Sequence, residues 1–209
     1  MLPFFKRQAL MALSLAIVLP SALSLTVAAQ EGPAAELAYH YLAQAADAGD
    51  ADSAFQVALA HTFGNGAPRD LVKRKKYLDI AVAKDHPQAL YYRALDYQYG
   101  SDLIAKDEAK SLTCLKRSAK LGFVGAQNSL GFNFETGDLV GAIDLVRSSA
   151  WYSLSIRTAK ADPRYGEAPG SEPISSLEEF RDAVNAQLSP DQITAADALS
   201  YTLLEDIKL

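Results

Sequence analysis

The chain has 209 residues, 49% of them apolar and 22% charged, the balance of an ordinary soluble protein; neither general disorder nor a multi-span membrane protein is indicated. A formal net charge of -5 would repel phosphate backbones, so nucleic acid is not an expected partner. The single cysteine, Cys114, rules out a disulfide framework, and stability must come from packing.

In chain order, the first element reads as a targeting segment. Lys6 and Arg7 precede an almost wholly apolar or small stretch from Ala9 to Val27, interrupted by Pro20 and ending in Val27-Ala28-Ala29. This pattern predicts a secretory signal at residues 1–29, cleaved after Ala29 to leave Gln30 as the mature start. The alternative is an uncleaved anchor, since the stretch is long enough to span a bilayer. No cysteine near the cleavage point offers a lipid anchor, and Lys6-Arg7 is not a twin-arginine pair. None of the four asparagines starts an Asn-x-Ser/Thr acceptor, which fits a bacterial periplasmic protein. The expected location is therefore periplasmic or secreted, soluble and free of the membrane after cleavage.

Residues 30–158 are organised by a repeat. Gly64, Gly100 and Gly137 recur at a nearly constant interval, each closing a stretch with helical patterning: 51–63, 87–99 and 124–136. The same columns return upstream of each glycine: Ser53, Ala89, Ala126; Val57, Arg93, Leu130; Ala58, Ala94, Gly131; His61, Tyr97, Phe134. Downstream, Asp70, Asp107 and Asp144 begin a second set that continues through Lys73, Lys110, Arg147 and through Tyr77-Leu78, Cys114-Leu115, Trp151-Tyr152. The unit is thus helix, glycine turn, helix, repeated three times, with a half unit before it at Tyr41-Leu42 and Ala45-Ala46. The glycines are expected in a left-handed helix cap. Ala58, Ala94 and Gly131 are small where two helices must approach closely. One unit cannot bury its apolar face alone, and stacking gives a quasi-one-dimensional array with an extended surface.

Residues 159–173, with Pro163, Gly166, Pro169, Gly170 and Pro173, read as a linker. Residues 174–209 then predict two helices. Ser175 and Glu178 suggest one capping box, and Ser189 with Gln192 another, ahead of apolar positions at helical spacing. This pair is expected to cap the array, for about eight or nine helices in all.

The columns resemble the Sel1-like repeat, a relative of the tetratricopeptide repeat. Unit three carries the fullest set, with Gly122, Ala126, Leu130-Gly131, Phe134, Gly137 and Trp151-Tyr152 at the family's separations. Unit two departs from it, with Arg93 in a leucine column, Asp85 in place of the glycine at Gly49 and Gly122, and Cys114 in an aromatic column. The resemblance implies an all-α solenoid of about three helix-turn-helix repeats of the exported bacterial type, which works by binding another protein. The cysteine-rich members of the family linked to β-lactams are not a model for a chain with one cysteine.

Chemistry-bearing residues give no catalytic constellation. His40, His61 and His86 lie in three separate helical segments without the close spacing that a metal site needs. Cys114 reads as a buried inert thiol, and Lys73-Arg74-Lys75-Lys76 as a solvated helix face. Glu178-Glu179 is explained by the favourable position of carboxylates early in a helix. No cofactor, metal or catalytic residue is expected. The function expected is a periplasmic adaptor or regulator; the alternatives are an envelope hydrolase or peptidoglycan-associated enzyme, and a structural subunit of an envelope assembly. By analogy with tetratricopeptide repeats, the first helix of each unit lines a concave face. The expected protein-binding stripe is Phe55, Leu59, Phe63, Tyr91, Leu95, Tyr99, Asn128 and Phe132, continuing at Thr136. These residues could equally be core, because an apolar stripe at helical spacing usually is.

Overall fold

The computed structural model describes residues 33–163, 165–166 and 172–206. The expected signal at residues 1–29 lies outside them, as does part of the expected linker. Among the described residues the chain forms nine helices: α1 (Pro33–Asp47), α2 (Ala51–Phe63), α3 (Leu71–Ala83), α4 (Pro87–Tyr99), α5 (Glu108–Lys120), α6 (Val124–Thr136), α7 (Leu145–Ala161), α8 (Ile174–Asn185) and α9 (Pro190–Asp206). The architecture is an all-α solenoid, and no helix among the described residues is long and apolar enough to cross a membrane.

Three hairpins, α2–α3, α4–α5 and α6–α7, repeat one construction; their first and second helices are termed A and B below. Each A helix ends at a glycine with positive φ, whose N–H closes on the carbonyl four residues back. Gly64 (φ 83°, ψ 20°) and Gly137 (φ 82°, ψ 3°) take the expected left-handed cap. Gly100 does not: at φ 75° and ψ 167° it sits in a region that is essentially glycine-only, because its turn folds back through a bridge between Ser101 and Ile104. The B helix is then started by aspartate. Asp70, Asp107 and Asp144 each accept N–H groups of the new first turn, and their own N–H groups donate back to the A helix at His61 (3.1 Å), Tyr97 (2.8 Å) and Phe134 (2.8 Å). One residue column therefore caps a helix and locks the hairpin.

The return turns are equally regular. Asp50, His86 and Phe123 donate their N–H groups to Ala45, Ala81 and Ser118. Gly49, Asp85 and Gly122 precede them with positive φ, and Asp85 (φ 57°) is the only such non-glycine among the described residues. The half unit is α1, a B helix whose Tyr39 and Leu42 pack on the core of the first hairpin.

The core runs as a chain of clusters along the array. The first joins α1 to α4 around Phe55, Val57, Leu78 and Ala89; the second joins α4 to α7 around Leu115, Leu130 and Trp151. The tail completes it. Ala196 and Leu203 of α9 enter the second cluster, while Leu177 of α8 packs with Val124, Ile156 and Ala159 in a third. The tail helices thus cover α7, as a terminal cap must.

Two local expectations are corrected. Helix α7 runs past Thr158 to Ala161, drawn on by the buried Ala159. The Ser175–Glu178 capping box does not form: Pro173 leads directly into α8, so Ser175 is already inside the first turn, and Glu178 instead binds Lys160 at 2.7 Å. The second capping box does form, with the Ser189 N–H donating to Gln192 Oε1 and the Gln192 N–H to Ser189 Oγ.

Candidate interaction surface

The A helices α2, α4 and α6 carry the expected protein-binding stripe, and the structure divides it. Phe55 (2% exposed) stacks on His86 and meets Tyr92 edge-on, and Leu59 (7%) belongs to the same cluster. Asn128 is 8% exposed. These three are core, not groove, because α1 and the flanking B helices cover more of the A helices than a bare hairpin would. Phe63, Leu95, Phe132 and Thr136 are half-buried, and Phe63 packs on the first cluster.

Tyr91 is structural as well. Its ring contacts both clusters, lies 5.2 Å from Phe123 between centroids, and its hydroxyl stands 3.5 Å from Ser129 Oγ; burial pushes its phenol pKa up. Expected in the binding stripe, Tyr91 instead joins one unit to the next. Tyr99 is different. It is 75% exposed at the last position of α4, beside the turn.

Tyr99 has company that sequence reasoning missed. Leu71 and Val72 at the start of α3, Leu103 in the second A–B turn and Ile143 in the third are all exposed. All five sit at the A–B end of their hairpins, and since the units repeat in tandem these turns lie along one edge of the array. For Leu71 and Ile143 the available signal was an apolar residue directly beside a capping aspartate, Asp70 or Asp144, a position where solvent-facing chains usually carry polar groups.

Arg93, the misfit in the leucine column, organises an ionic cluster that runs from the buried Asp96 to the half-exposed Asp79. It donates to Asp79 Oδ1 at 2.6 Å and its Nε lies 3.6 Å from Asp96, too far for a hydrogen bond. Arg74 reaches the same Asp96 with two hydrogen bonds, at 3.0 and 2.8 Å, and donates to Thr62 on α2. Burial opposes the charge of Asp79, but hydrogen bonds from Lys75 and Arg93 outweigh it and hold its pKa below the ordinary value. The basic run from Lys73 to Lys76 is thus not simply a solvated face. Only Lys73 and Lys76 are exposed, and Lys76 reaches back to Asp47 of α1.

The remaining reactive types are structural in their surroundings. His61 Nδ1 donates to the Pro68 carbonyl and Nε2 hydrogen-bonds the Tyr39 hydroxyl, both at 2.9 Å, so the ring bridges α1, α2 and the first turn. His86 is 6% exposed; Nδ1 accepts the Ala89 N–H, so Nε2 carries the proton toward Asp52 at 3.2 Å. Cys114 is half-buried, and burial raises its pKa, which works against a reactive thiolate. No group of three or more His, Cys, Asp or Glu side chains among the described residues is placed to hold a metal ion.

Comparison with known proteins agrees with this geometry. The Sel1 repeat family model matches residues 32–50, 51–86 and 87–123. The α6–α7 hairpin, which carries the fullest set of family residues in the sequence, lies beyond those residues and joins the series through its repeated turns. The chain is 36% identical over 125 residues to chitin synthase regulatory factor 2 of Schizosaccharomyces pombe, an alignment covering 56% of this chain and 24% of that protein. It therefore spans about a quarter of that relative's length, and the relative is eukaryotic. A crystal structure of a Sel1 repeat protein from Oxalobacter formigenes superposes with a TM-score of 0.53 at 23% identity, covering 69% of this chain and 96% of that one. Sel1 repeats generally mediate protein–protein interaction, and the matched family is not a catalytic one. Residues 32–123 of this chain are Sel1 repeats, beginning in the half unit at α1 and running through the first two hairpins of the solenoid.

Proposed function

We propose that the chain is an exported, non-catalytic adaptor or regulator that holds a segment of another cell-envelope protein along the A–B turn edge of its solenoid. The observation that carries this reading is the line of exposed apolar side chains contributed by successive units: Leu71 and Val72, then Tyr99 and Leu103, then Ile143. Isolated apolar residues on a surface are ordinary, but a series repeated at one edge offers anchors for a single extended partner. Phe63, Leu95, Phe132 and Thr136 continue the strip toward the A-helix face. Export rests on the apolar stretch from Ala9 to Val27 with its small-residue exit.

Tyr99→Ala and Ile143→Ala are each expected to weaken capture of the envelope partner at least tenfold, about 1.4 kcal/mol. Melting should stay at the wild-type temperature, since both side chains are exposed. Tyr201→Ala, equally exposed but on the tail, should bind normally. Normal capture by both turn variants would remove the edge from consideration. N-terminal mass spectrometry on exported protein checks the leader: a start at Gln30 agrees with cleavage, and a membrane-bound chain that still begins at Met1 overturns it.

A further inference from the structure

Asparagine is among the thermolabile side chains, and the fold places one of the four in this chain unlike the rest. Asn128 and Asn133 lie inside α6, where the N–H of the following residue belongs to the helix ladder. Asn185 ends α8; its Oδ1 accepts the Ser149 hydroxyl, and the N–H after it, that of Ala186, donates to Asp182. Asn65 lies in the first A–B turn and is followed by Gly66.

That turn is pinned at both ends and free in the middle. The Gly64 N–H closes on Ala60, His61 Nδ1 donates to the Pro68 carbonyl, Arg69 donates to the Phe63 carbonyl, and the Asp70 N–H returns to His61. Between these anchors, the N–H groups of Asn65, Gly66 and Ala67 and the Asn65 carboxamide make no hydrogen bond among the described residues. Neither Asn65 nor Gly66 is buried, and Gly66 takes a positive φ of 74°. A backbone nitrogen outside any ladder is open to base, and a glycine puts no Cβ in the way of its approach to the preceding side chain.

We propose that Asn65-Gly66 is a site of spontaneous deamidation, which the fold leaves open here and closes at the other three asparagines. The Gly66 backbone nitrogen gives up its proton to base and bonds to Asn65 Cγ. The Cγ–Nδ2 bond breaks and ammonia leaves with a proton from solvent, giving a five-membered succinimide. Water then opens the ring: breaking the Cγ–N bond yields aspartate, and breaking the backbone C–N bond yields isoaspartate. Nothing is oxidised or reduced. In the third unit Asp138 follows the cap glycine Gly137, so a carboxylate after that glycine suits the turn. Isoaspartate instead adds one methylene to the backbone between the anchored ends at Gly64 and Pro68. The modification rests on the chemistry of the turn alone and does not depend on a partner bound along the same edge.

The test incubates the purified full chain in heavy-oxygen water at mildly alkaline pH, below its melting temperature, and follows each asparagine by peptide mapping. The Asn65 peptide should exchange its amide for an acid carrying one heavy oxygen, faster as pH rises, while Asn128, Asn133 and Asn185 keep their amides. A methyltransferase specific for isoaspartate should label the same peptide. Asn65→Gln should abolish both signals with melting unchanged, since the six-membered ring it requires closes far more slowly. A synthetic peptide of residues 62–69 gives the rate without the fold. An Asn65 amide still intact when that peptide has fully deamidated, loss at Asn65 no faster than at the other three asparagines, or an acid product without isoaspartate would overturn the inference.

Discussion

At the scale of single residues, one position does different work in successive units. The start of each A helix is Asp50, His86 or Phe123: a carboxylate cap, an imidazole cap and no side-chain cap at all. The imidazole makes the second unit sensitive to pH. His86 Nδ1 must stay unprotonated to accept the Ala89 N–H, and burial disfavours the imidazolium more than Asp52 and Asp50 favour it. The folded-state pKa is therefore below the ordinary 6.5, and as pH falls the unfolded chain takes up its proton first. Stability from this site is complete above the unfolded pKa and falls as pH drops below it, until the folded-state pKa is passed. His86→Asn keeps a capping side chain that does not titrate. Thermal melts of the two proteins from neutral pH to about pH 5 should diverge by on the order of 1 kcal/mol, the wild type losing more. Parallel pH profiles would mean that His86 does not titrate in this window. None of this was legible in the sequence, where a histidine at the repeat position of Asp50 gives no sign of its burial or of which nitrogen it uses.

Between elements, the repeat columns act in pairs. The small column on the A helix (Ala58, Ala94, Gly131) has a counterpart on the B helix (Leu78, Leu115, Tyr152) whose volume changes in the opposite sense, and Ala58 with Leu78 and Ala94 with Leu115 each share a core cluster. In unit three the compensation is direct: a Cβ on Gly131 would lie 2.8 Å from two carbons of the Tyr152 ring, and Tyr152 is 1% exposed. Gly131→Ala should therefore destabilise by about 1–3 kcal/mol through overpacking, despite alanine's better helix propensity. Adding Tyr152→Leu restores the alanine–leucine pairing of the other units and should recover part of that loss, so a double-mutant cycle should show favourable coupling. The cost that remains is the hydrogen bond from the Tyr152 hydroxyl to Glu135 at 3.0 Å and its ring contact with Phe180. Additive effects in urea unfolding would show that the two columns do not constrain each other. The alternation of small and large was readable as a column in the sequence. The partner that sets each volume was not, because the pairing crosses the hairpin.

For the molecule as a whole, the repeat made the fold legible: the glycines at Gly64, Gly100 and Gly137 and the aspartates at Asp70, Asp107 and Asp144 mark the hairpin boundaries by their spacing alone. The candidate surface was less legible, because period alone says which residues share a face and not which neighbours cover it. Phe55 and Leu59 look surplus until α1 and the B helices are in place, and Arg93 looks like decay until Asp79 and Asp96 stand beside it. The tail shows the same dependence on neighbours. An array of this kind is stabilised by contacts between adjacent units, so its last helix needs a cover. Helices α8 and α9 supply it through Leu177, Ala196 and Leu203, and Arg157 of α7 binds Ser200 and stacks on Tyr201 at 3.9 Å. Ending the chain after Asp162 should remove more than about 3 kcal/mol, given the apolar side chains left bare on α7. The single tryptophan reports on it, since Trp151 is buried in the cluster that α9 completes. Truncation should shift its emission to the red, lower the urea midpoint and promote association through the exposed α7 face, while the A–B turns keep their capping pattern. A truncated chain with the wild-type midpoint and a blue Trp151 emission would make the tail an appendage and α7 a self-sufficient end to the solenoid.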